Sequence, residues 1–237
     1  MIADRINKLI FVNKGVIDDF FIIDQNWQIL EPLLRDNNVY SRWDHSAGVD
    51  GVKVIRMALY TKIIIELHAI LFDSNKKTGS IKNVIVGLSD SGISKELRKR
   101  FCIPTGVNVA GDHSENDIQR LTEQIKLEDT IHKEEIFDRM LPEVIGSYEN
   151  IEKSDLAVRI KAARSKIYAH KEIQTIEGER KYYDESHIGL QYDDAEKLIN
   201  EVKELVFNAN FLLTNSYYAL DSFLNRHKKV AREYWLR

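Results

Sequence analysis

VKVIRMALYTKIIIELHAILF, residues 52–72, is the strongest apolar segment of the chain, and its reading decides the fold class. Val52, Ile55, Leu59, Ile63, Leu67, Ile70 and Leu71 recur at helical spacing, so they stack on one face of an α-helix. Further apolar residues lie beside that stripe, which predicts a helix central to the core. The segment stops at Asp73-Ser74-Asn75-Lys76-Lys77-Thr78-Gly79, a charged, turn-prone run. Ser80 then has the side chain to cap a short helix through Val84, Ile85 and Leu88.

The composition points the same way. Only 3 prolines and 11 glycines stand against 43% hydrophobic and 30% charged residues, which is a composition of long helices rather than of turns between strands. The expectation is an all-α fold in one domain over 1–237, long enough to bury a core without covalent staples. Upstream, Ile6, Leu9, Ile10, Ile17, Phe20, Phe21, Ile29, Leu33 and Leu34 fit one helix or a broken pair, with Gly15 and Pro32 as weak points. Tyr40 to Gly51 reads as a polar loop. Downstream come a short helix at Ile93 to Phe101 and an irregular stretch at Ile103 to Asn116. A long charged helix from Ser114 to about Glu149 follows, with Pro142 as a possible kink. A helix beginning at Ser154 or Asp155 turns Leu156, Ile160, Ala163 and Ile167 toward the core. Glu172 to Gln191 reads as a connecting loop, Asp193 to Leu224 as a final long helix, and 226–237 as a basic extension, helical or partly mobile.

The net charge of -3 argues against a general nucleic-acid coat, whose affinity would rest on many phosphate contacts. Basic clusters occur at Lys95 to Arg100, around Arg159, Lys161, Arg164, Lys166, His170 and Lys171, and from Arg226 to Arg237; a solvated helix face is the usual meaning of such clusters. The single cysteine, Cys102, forbids an internal disulfide and fits a reducing compartment. With neither a leader-like start nor an apolar run of the ~20 residues a bilayer requires, the expectation is a cytoplasmic protein without membrane contact. Asp112, His113, Glu115 and Asp117 superficially resemble a metal cluster, but Ser114 three residues before Asp117 is a helix-capping arrangement, and paired His or Cys spacing is missing. His132 lacks the second histidine of a zinc-protease motif, and His45 sits in the polar loop. No metal or cofactor is expected.

What remains is Arg164-Ser165-Lys166-Ile167-Tyr168-Ala169-His170. A permanently charged guanidinium suits a phosphate and an imidazole suits proton transfer, so the pair reads as a phosphodiester-handling site. At about 100° per residue, a straight helix leaves Arg164 and His170 roughly 120° apart, so the reach of the arginine, a helix end, or a second copy across a dimer axis must bring them together.

On these residues the chain resembles the HEPN superfamily, whose motif is an arginine, a polar residue and a histidine, frequently Arg-Asn-Lys-x-x-Ala-His. Ser165 stands where the larger polar residue is usual. The helical layout, the Leu71-Phe72-Asp73 ending before a turn and short helix, and the late motif are similar to the AbiU-type abortive-infection branch. The resemblance implies a HEPN-like helical bundle with additional helices, its core motif in about 152–225, that dimerises with two motifs facing each other. It also implies a toxin-like, metal-independent endoribonuclease of phage defence. Arg164 and His170 would be catalytic and Ser165 would take the polar position, with Lys166 and Tyr168 as supporting neighbours. RNA, a second copy, and an antitoxin or nucleotidyltransferase are the implied partners. RNA carries its own nucleophile in the 2′-hydroxyl, so a site need only assist proton transfer and stabilise charge at phosphorus. Two other readings stay open: a non-catalytic helical module that binds RNA or protein, and the HEPN half of a toxin–antitoxin pair.

Overall fold

Helix α1 runs unbroken over Ile2–Arg35 in the computed structural model, which describes residues 2–43, 45–75, 77–106, 114–169, 173–176, 179–182 and 188–236. Neither weak point divides it. Gly15 meets open space, and Pro32 falls in the last turn, where its missing N–H forgoes only one bond. The buried face of α1 carries Ile6, Leu9, Val16, Ile17, Phe20, Ile23, Trp27, Leu30 and Leu33, and α3 (Val49–Phe72), α8 (Tyr192–Thr214) and α9 (Leu220–Leu236) pack along it. Short α2 (Asn37–Tyr40) follows α1, so the expected polar loop is helical at both of its ends.

Helix α3 differs from its expected place. Tyr60, Ile63, Ile64, Leu67, Ile70 and Leu71 are buried, but Val54, Met57 and Ile65 on the opposite side are 67%, 61% and 37% exposed. The helix thus has apolar residues on two sides but is covered on one, because α1 and its neighbours occupy a single face. Ser80 caps α4 (Ile81–Leu88) as expected, accepting from the Asn83 amide at 3.3 Å. There Gly87 lies so close to α1 that a Cβ would come within 2.5 Å of both Leu9 methyls.

Helix α5 (Ser91–Phe101) is tied to α6 (Glu115–Lys153) by Arg98, which holds Asp138 at 2.7 and 2.8 Å and Glu134 at 2.9 Å. Pro142 does not interrupt α6. Ser114 caps it by accepting from the Asp117 amide at 3.3 Å, so the capping reading of that segment holds, while 107–113, including Asp112 and His113, lie outside the described residues. Lys82 of α4 pairs with Glu152 of α6 at 2.7 Å.

The last third departs most from expectation. Two short antiparallel strands, β1 (Ile173–Ile176) and β2 (Glu179–Tyr182), stand inside the expected connecting loop, with Ile173 opposite Tyr182. The all-α class stands with this small addition. The expected final helix is two: Asn215 takes a left-handed conformation at φ 50°, its N–H closes on Phe211 O at 2.8 Å, and α8 ends. The apolar pattern continues through Tyr217 and Leu220, which is why periodicity alone hides the break. The basic exit belongs to α9, which docks on α1. His227 Nδ1 meets Asp24 Oδ2 at 2.6 Å with both side chains buried, and Trp235 Nε1 donates to Ile29 O at 2.8 Å. Among the described residues, no helix is long and apolar enough to cross a membrane.

Gly87→Ala should destabilise the fold by about 1–3 kcal/mol through overpacking against Leu9. Gly15→Ala, in open space within the same helix pair, should stabilise it by about 0.5–1 kcal/mol. Urea titrations followed by circular dichroism would measure both, and equal effects would refute the close approach at Gly87.

Candidate active site

Helix α7 (Asp155–Ala163) begins at Ser154, whose Oγ accepts from the Ala157 amide at 3.1 Å. Leu156, Ala157, Ile160 and Ala163 are buried, as their spacing predicts. Arg159 fixes the helix from the side: it donates to Gly189 O at 2.7 Å and to Asp194 at 2.8 and 3.1 Å. Asp194 also accepts from the Gln191 amide at 2.9 Å, so one carboxylate caps α8 and anchors α7.

The helix changes form at the motif. From Arg164 to Ala169 the backbone is a π-helix, the wider turn that elsewhere marks functional positions inside α-helices. Arg164 follows buried Ala163 by one residue and projects to the exposed side. Ile167 and Tyr168 are half-buried and pack against the core. Ser165 is exposed and donates back to Ala162 O at 3.3 Å, so its hydroxyl engages its own helix. Lys166 is partly exposed beside it. Arg164, Ser165, Lys166 and Tyr168 therefore share one short segment. His170 lies outside the described residues, as do Lys171 and Glu172.

Tertiary packing adds residues that the motif does not contain. Helix α3 packs against α7 and the π segment. There the Lys161 ammonium lies 4.3 Å from the centre of the buried Phe72 ring, a cation–π contact, and His68 meets the same ring edge-on at 5.7 Å. Lys161 precedes Arg164 by three residues, so the two cations are neighbours along the helix surface. His68 is half-buried, and burial is the main reason its imidazole titrates below its ordinary value of 6.5. The Arg164 charge pushes it down further, as does Lys161, while Asp73 at the end of α3 acts the other way. The outcome is a neutral imidazole beside two fixed cations.

Two other sequence candidates have structural surroundings. In the Lys95–Arg100 cluster, Arg98 pairs with α6, and Lys99 and Arg100 lie near Glu96. Cys102 is buried, and that burial pushes its thiol up, away from the reactive thiolate form. Among the described residues, no three His, Cys, Asp or Glu side chains are grouped to hold a metal ion. His68 escaped the sequence reading because a lone histidine among apolar residues carries no local signal; its four-residue step to Phe72 was the only hint.

A family model described as AbiU2, of the HEPN group, matches residues 18–234. No curated protein and no solved structure matches the chain.

Proton NMR titration should place the His68 pKa below 6.5 in the native chain. Arg164→Gln should raise it toward that value without reaching it, because burial persists. A pKa indifferent to Arg164 would refute the electrostatic link between α3 and the motif.

Proposed function

Because the chain belongs to the AbiU2 family of HEPN proteins, an abortive-infection-associated group, we propose that it is a metal-independent endoribonuclease that acts as a growth-arresting toxin in phage defence. The observation that carries this reading is the change to π geometry at Arg164, which presents the motif arginine to solvent beside Lys161 at the foot of α3. Arg164 binds the scissile phosphate and stabilises the extra negative charge of the transition state. His170 serves as general acid or base, or orients the 2′-hydroxyl. Attack by that hydroxyl expels the 5′ oxygen and leaves a cyclic phosphate, so the reaction needs no external nucleophile.

The working form is a homodimer in which two motifs face each other. The exposed apolar stripe of α3, Val54, Met57 and Ile65, supports a second copy as its occupant. Soluble monomers rarely leave a contiguous apolar stripe in water, and a two-fold contact covers the same stripe on both copies at once. His68 follows Ile65 by three residues on the same helix, and α3 packs against the π segment, so a copy seated on the stripe stands near the motif.

A second reading is binding without cleavage, favoured by Ser165, whose hydroxyl is turned back on Ala162 instead of toward a substrate. Incubation of the purified protein with mixed RNAs and EDTA separates the two: cleavage that survives chelation supports the nuclease, and binding alone supports the module. Arg164→Ala and His170→Ala should each abolish cleavage while helicity and dimer mass stay intact, and cleavage retained in both would reject the assignment. Met57→Glu should shift the mass in light scattering from dimer to monomer and reduce cleavage at least tenfold; an unchanged mass would remove α3 from the interface.

A further inference from the structure

Cleavage by the 2′-hydroxyl needs two proton transfers, one off the attacking oxygen and one onto the leaving oxygen, whereas the motif supplies one imidazole per copy. The fold brings another imidazole, that of His68, within electrostatic reach of Arg164. His68 lies near the C-terminal end of α3, and that helix packs against the π segment that carries Arg164. Its ring is held edge-on by buried Phe72, and Lys161 occupies the face of that same ring at 4.3 Å. His68 and Lys161 thus meet on one phenyl ring, and Arg164, whose charge acts on the imidazole, follows Lys161 by three residues on the neighbouring helix.

Resting on the ribonuclease reading above, we propose that His68 is the general base of the site, taking the proton of the attacking 2′-hydroxyl while Arg164 and Lys161 hold the phosphate. In the step, the 2′ oxygen bonds to phosphorus and the bond from phosphorus to the 5′ oxygen breaks. The hydroxyl proton passes to the imidazole of His68. The departing 5′ oxygen receives its proton from His170, the acid in this division of roles, and the products are a 2′,3′-cyclic phosphate and a 5′-hydroxyl.

The charges suit the assignment. In the free protein, burial together with Arg164 and Lys161, opposed by Asp73, keeps His68 neutral near pH 7, so a ring nitrogen is available to accept. A bound phosphate offsets both cations and raises the proton affinity of the ring at the moment it must accept. The base works only when neutral, so activity is full above its pKa and falls as pH drops through it. That limb lies below 6.5 for the free protein.

The test is single-turnover cleavage of a labelled mixed-sequence single-stranded RNA across pH. With RNA and protein below saturation, so that the rate reports the free protein, wild type should show an acidic limb below 6.5, and His68→Gln should lose about 10²–10⁴-fold in rate and lose the limb, with helicity unchanged. Lys161→Gln leaves the imidazole in place and should move the limb upward, which keeps the assignment testable if the His68 variant does not fold. A substrate with a bridging sulfur at the 5′ leaving position needs no acid, so it should rescue His170→Ala and not His68→Gln. Wild type that cuts no RNA would overturn the nuclease reading, and this assignment with it. Wild-type cleavage with a His68→Gln rate within a few-fold, a limb unmoved by Lys161→Gln, or rescue of His68→Gln by the sulfur substrate would overturn the assignment alone.

Discussion

Burial of one long face of α1 is the constraint on which the other helices depend. Phe20, Ile17, Ile23 and Leu30 are fully or almost fully covered, and α3, α4, α8 and α9 reach their positions by packing on that helix. A side chain of this kind contributes about 1.5–3 kcal/mol when fully buried, so a row of them outweighs any surface ion pair in the molecule. Two local features adapt the hub to its neighbours. Gly87 lets α4 approach the Leu9 methyls, and the buried Asp24–His227 pair ties α9 to the far half of α1. Without its histidine, Asp24 would be a buried carboxylate short of a partner, which is why a basic terminal segment is held as a helix on this surface.

Because α1 takes the inner face of α3, that helix keeps its second apolar face outward and its last turn against α7. The candidate site is a product of this seam. Phe72 contributes to the core and, through its ring, positions both Lys161 and His68. Arg159, the nearest other cation on α7, holds Asp194 and Gly189, leaving Arg164 as the arginine that α7 and the π segment present to solvent. The basic cluster seen in sequence thus divides into an anchoring part and a part that faces outward.

Local rules read well wherever one segment decided its own structure. Ser80, Ser114 and Ser154 all cap the helices that follow them, since a cap depends on amides two or three residues away. Gly15 and Pro32 were overrated as weak points, because neighbouring turns and packing maintain a helix through one poor residue. Asn215 was underrated: its left-handed backbone ends α8 although the apolar period runs on. The two short strands at Ile173–Ile176 and Glu179–Tyr182 left no strong alternation to detect.

By itself the sequence determined the helical class, the capped starts of α4, α6 and α7 and the motif from Arg164 to His170, since periodicity, capping and motif spacing are properties of residues close together in the chain. Only the tertiary structure decided which faces are covered, that the helix takes π form at Arg164, and that His68 stands beside the motif. Those outcomes arise from competition between distant segments for the same surface: α1 claims one side of α3, and the turn left against α7 carries His68 to Lys161 and Arg164.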